Sequence, residues 1–132
     1  MLKLVLAVVV LAHGVGHLLF LGPSLRVVDW AGQTSHSWLL TGALGDGPTR
    51  AIASIIWIAT MMLFVAGVCG YLLGTPWWQG ATVAGAIVSI VGIVLFWDGL
   101  ASSSAAFALV FDAVVLVTLL LARWPAAETV GA

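Results

Sequence analysis

The chain has 132 residues, 63% of them hydrophobic and only 7% charged, with a formal net charge of −1. That composition lies outside the range of soluble globular domains and predicts an all-α, polytopic membrane protein built as a single domain over residues 1–132. Four basic and five acidic residues provide no basic patch for nucleic acid and no polybasic lipid clamp, which leaves membrane lipids, a membrane-protein partner or a homo-oligomer as the partners to expect.

The chain opens with a lysine and an apolar run, as a secretory signal peptide does. The apolar run extends from Leu4 to Leu21, past the usual length of a signal core, so the expectation is an uncleaved first helix over about 2–22. Gly22-Pro23 ends it, because proline disfavours helix in the residue before it. His13 and His17 stand four residues apart in this run, which on a helix puts both rings on one face, about 6 Å apart along the axis. A titratable group at that depth is costly and is read as a functional-site candidate with a partner elsewhere in the bundle.

The connection from Ser24 to Arg50 carries Arg26, Asp29, His36 and Asp46. Its length marks it as a lid or interfacial segment, and Trp30, Trp38, Leu39 and Leu40 predict that it lies along the membrane surface. His36 reads as a solvated or interfacial histidine. Thr49 is the predicted N-cap of the next helix.

Three further apolar stretches, at about 50–74, 77–99 and 103–122, each approach or exceed the roughly 20 residues that cross a bilayer. Four spans put both termini on one side. Tryptophan favours the headgroup level, and Trp77, Trp78 and Trp124 fall at the terminal face, with Trp30, Trp38 and Trp97 at the other; Trp57 alone falls inside. Lys3 and Arg123 balance Arg26 and Arg50, so basic residues do not set the orientation. The long loop, which can translocate regardless of charge, argues for cytoplasmic termini.

Gly67, Gly70 and Gly74, then Ala81, Gly85, Ser89 and Gly92, recur at helical steps and predict close helix packing, as do Ala12 and Gly16. Cys69 reads as a small apolar filler, and Met61, Met62 and Phe64 as lipid-facing or packing residues.

Asp98 and Asp112 are the two carboxylates within or at the edges of the spans. Depth matching puts His13 with Asp112 at mid-membrane and His17 towards Asp98 at the mouth, although Asp98 points away from the small-residue stripe of its helix. Three readings follow. An imidazole–carboxylate pair suits proton relay, or binding of a lipophilic ligand such as a quinone or isoprenoid-like lipid. His13, His17 and Asp112 also have the chemistry of a divalent metal site. The third reading is a polar clamp between helices, in an accessory or scaffold subunit. Haem is disfavoured, since two histidines on one face of one helix cannot be trans axial ligands. Neither a nucleophile elbow nor a phosphate loop nor a zinc-protease motif is present, so no reaction is assigned.

The segments AHGVGHLLFLGP and AGVCGYLLGTPWW, within a small four-span layout, loosely resemble the DoxX-like family of bacterial membrane proteins. The resemblance implies a four-helix bundle of a bacterial inner membrane, in a family sometimes associated, as a membrane subunit, with quinone-linked or thiol-linked oxidoreductases. His17 stands nearest the place where that family carries a basic residue.

Overall fold

The computed structural model describes residues 1–125, and among these there is no strand. The helices are α1 (Leu2–Gly16), α2 (Leu18–Leu25), α3 (Leu40–Leu44), α4 (Asp46–Leu73), α5 (Trp78–Leu95) and α6 (Ser102–Leu116), with a π-helical turn at Val117–Leu121 that extends α6. Among the described residues, four helical stretches are long and apolar enough to cross a membrane: Leu2–Leu25, Asp46–Leu73, Trp78–Leu95 and Ser102–Leu121.

The first stretch departs from its predicted end. It runs through Pro23 to Leu25, because the carbonyl that proline cannot serve finds another donor: Gln33 Nε2, from the connection, donates to the Leu19 carbonyl at 3.4 Å. The same stretch is jointed at His17, whose backbone N–H bonds the Gly14 carbonyl at 3.2 Å, one residue short of α-helical register. The second stretch starts earlier than expected. Gly45, at φ 81°, is the N-cap of α4, and Pro48 sits in the first turn, where a missing N–H costs nothing. Thr49 is therefore inside the helix and not its cap.

α4 packs on α5 and α1, and α5 on α6, while contact between α1 and α6 is thin. Small residues set the close approaches. A Cβ on Gly92 would come within 2.6 Å of Ile56, and one on Gly14 within 2.6 Å of the Phe64 Cβ, so these helices touch backbone to side chain as lipid-embedded helices do. Gly16 has open space around it and Ala12 is exposed; the close contact of α1 is made by Gly14 instead. Phe64 and Trp57 are fully buried in the core, whereas Met62 and Cys69 lie on the outer face. Cys69 is thus not a core filler.

The connection docks on the end of α5 that faces it, where a helix leaves carbonyls without donors. Trp38 Nε1 donates to the Val94 carbonyl at 2.8 Å and Ser37 Oγ to the Leu95 carbonyl at 2.5 Å. The Thr34 N–H donates to the Gly99 carbonyl at 2.7 Å, and the Ala101 N–H to Gln33 Oε1 at 3.2 Å. The strap therefore completes α5 and anchors the turn into α6.

Candidate functional site

Asp112, in the middle of α6, is fully buried, and its Oδ1 accepts from His13 Nε2 at 2.8 Å. This is the pairing expected from depth alone. It joins α1 to α6 across the seam where those helices otherwise meet little. The other carboxylate oxygen, Oδ2, is buried without a partner among the described residues, an arrangement that costs free energy unless a proton, ligand or ion completes it.

His17 does not reach Asp98. Its Nδ1 lies 3.1 Å from the His13 backbone carbonyl and its Nε2 lies 2.8 Å from Ser89 Oγ. A carbonyl only accepts, so Nδ1 carries the hydrogen, and in the neutral ring Nε2 accepts from the serine hydroxyl. The joint at His17 makes this possible: with the backbone N–H shifted to Gly14, the His13 carbonyl is open to the imidazole. Ser89 lies nine residues before Asp98, about 13 Å deeper along α5 at the helical rise. Asp98 sits beyond the end of α5, in the short 3-10 turn Trp97–Gly99, and there its Oδ2 accepts from His36 Nδ1 at 2.6 Å while Oδ1 accepts from the Trp38 N–H at 3.1 Å. His36 is exposed as expected, but it is paired with that carboxylate, and the pair fastens the strap. The second layer predicted from the sequence is therefore replaced by two separate contacts, His17–Ser89 inside and His36–Asp98 at the mouth.

Aromatic rings wall the cluster. His13 stacks on Phe111 with ring centroids 4.0 Å apart and meets Phe64 edge-on at 5.0 Å. His17 is T-shaped to His13 at 5.0 Å and lies 5.9 Å from the Trp57 ring. These contacts hold both imidazoles in fixed orientations. Ser89 and the rings of Phe64 and Phe111 escaped the reading for chemistry, because a serine or phenylalanine in an apolar helix carries no signal until its helix is rotated into place.

A cavity of about 550 Å³ lies on the α1–α6 seam. Its lining includes Ala12, Gly16, Phe107 and Phe111, together with His13, His17, Ser103 and Ser104. One nitrogen from each of His13 and His17 and one oxygen of Asp112 also lie within 4.8 Å of one another. Two imidazoles and a carboxylate fit a divalent transition metal, and a histidine whose other ring nitrogen donates to a carbonyl, as His17 does, has the orientation such ligands adopt.

Fold and site together define a class: a small all-α bundle of four helices able to cross a membrane, with a buried His–Asp cluster opening on a lateral cavity. The chain matches no family model, no curated protein and no solved structure.

Proposed function

We propose that this is an integral membrane protein that binds a lipophilic molecule with a hydrogen-bonding head, of the quinone or isoprenoid-lipid class, in the α1–α6 cavity. The observation that carries the reading is the cavity itself, mostly apolar, opening between two helices, and bounded at one side by a histidine already paired to a buried carboxylate. Apolar walls with a few convergent polar groups suit such a ligand. His13 is the contact to the ligand head, and Asp112 is the counter-charge for any proton passed between them. His17, with both ring nitrogens taken by the His13 carbonyl and Ser89, fixes the His13 ring by its edge contact instead of meeting the ligand, and Asp98, tied to His36, takes no part.

In this reading the protein is a membrane subunit of a redox system, in a bacterial inner membrane with both termini cytoplasmic. The resemblance to DoxX-like proteins supports the redox association, and the length of the loop supports the orientation. Protein purified without a histidine tag and extracted with organic solvent should yield a stoichiometric quinone or isoprenoid lipid, retained by the native chain and lost in His13→Gln. An extract containing only bulk phospholipid, with no binding of added quinone, would leave His13–Asp112 as an interhelical clamp in a scaffold subunit.

A second reading rests on a separate observation, the convergence of His13, His17 and Asp112. These residues would hold a divalent cation, which would supply Lewis acidity at the cavity wall. Elemental analysis of the tag-free protein decides it: near-stoichiometric zinc, iron or copper, lost in His17→Gln as well as in Asp112→Asn, supports the metal, and a metal-free preparation refutes it.

A further inference from the structure

A second cavity, of about 660 Å³, opens at the face of the connecting loop, between the end of α2, the loop and the start of α4. Arg26, Asp29, Asp46 and Arg50 all line it, four of the nine Asp, Glu, Lys and Arg side chains in the chain. None of the four is in an ion pair with a described residue. Asp46 and Arg50 are one helical turn apart on α4, the spacing at which such a pair ordinarily joins, yet they do not. Arg50 Nη1 is buried without a partner among the described residues. A guanidinium nitrogen removed from water and left unpaired is costly, so an acceptor brought against Arg50 would relieve that cost.

The backbone around this cavity is unusual as well. Arg26 and Ala31 adopt positive φ, at 57° and 53°, conformations that persist in non-glycine residues where the surroundings impose them, as at ligand clamps. Trp30 and Trp38, both exposed on the same loop, mark the headgroup level.

The charge pattern selects the occupant. A simple phosphate would face two carboxylates, and a simple cation two guanidinium groups. A zwitterion satisfies all four, its phosphate accepting from Arg26 and Arg50 in the forked geometry arginine offers, and its ammonium donating to Asp29 and Asp46. We propose that this cavity binds a phosphoethanolamine group, the headgroup of a membrane phospholipid. A quaternary ammonium has no N–H to donate and meets only half of the site.

The test uses the full-length protein, delipidated in detergent and returned to nanodiscs of equal parts phosphatidylethanolamine, phosphatidylcholine and phosphatidylglycerol, with retained lipid read by native mass spectrometry. The ethanolamine lipid should be retained at about one per chain. Arg50→Gln should lower that retention about ten-fold or more, the size expected for a charge-assisted hydrogen bond. The double change Asp29→Asn with Asp46→Asn leaves both arginines in place and should reverse the preference towards phosphatidylglycerol, a readout that loss of folding cannot mimic. Soluble phosphoethanolamine, titrated separately, distinguishes the source: weak binding assigns the headgroup to a lipid, and binding equal to the lipid's assigns a free phosphoester in the same site. Equal retention of the three lipids, unchanged in Arg50→Gln, overturns the proposal.

Discussion

Replacing Gly16 with leucine asks whether the α1–α6 cavity is a binding site or a packing gap. A Cβ built on Gly16 meets no atom within 4 Å, and the residue lines the cavity beside both histidines without bonding to either. The substitution therefore fills space and leaves the His13–Asp112 pair untouched. Glycine is about 1 kcal/mol worse than alanine within a helix, and leucine is among the better formers. At the last position of α1 about half of that gain should be realised, so the bundle should be more stable by about 0.5 kcal/mol. Ala12→Leu, one turn earlier and exposed, narrows the cavity further at little cost in propensity. Binding of a short-chain benzoquinone can be followed by quenching of Trp57, whose ring lies 5.9 Å from that of His17, in a variant that keeps Trp57 as its single tryptophan. The double variant should melt at or above the parent temperature while its quinone affinity falls at least ten-fold. Unchanged quenching, or a bundle destabilised by several kcal/mol, would refute the account of the cavity.

At Asp112, asparagine retains an acceptor for His13 Nε2 while removing the titratable proton, so stability should move by about 1 kcal/mol or less, in keeping with the modest worth of intramembrane polar contacts; ligand binding should fall sharply. Asp112→Leu strands the imidazole N–H and should cost about 1–3 kcal/mol by unfolding in mixed detergent; a cost below that of asparagine would contradict the pairing. Gly14→Ala places a methyl group against the Phe64 Cβ, 2.6 Å away before relaxation, and should destabilise by about 1–3 kcal/mol through overpacking, a prediction that fails if the melting temperature is unchanged. Asp98→Asn removes the charge that fastens His36 and the Trp38 N–H. Hydrogen exchange in residues 34–38 should rise while the α4–α5 core stays protected, and uniform exchange would show that the strap does not depend on that carboxylate.

The four apolar helical stretches and their order were legible because helix formation in lipid depends on local properties: the length of an apolar run and where glycine and proline interrupt it. The His13–Asp112 pair was legible too, since depth along each span follows from counting residues and a mid-membrane carboxylate needs a partner. What counting could not supply was rotation about each helix axis and the register of the loop. Those decided that His17 turns to Ser89, that Asp98 lies beyond the end of α5 and serves His36, and that Gly14 rather than Gly16 makes the close contact of α1. Pro23 shows the same division. Its sequence signal is a helix stop, but a glutamine from the distant strap bonds the carbonyl that proline leaves open and the helix continues. Local chemistry fixes which groups need partners, and only the packed bundle decides which partners come within reach, because a side chain 5 Å from its mate is neutral information to its own segment and the whole of the site to the fold.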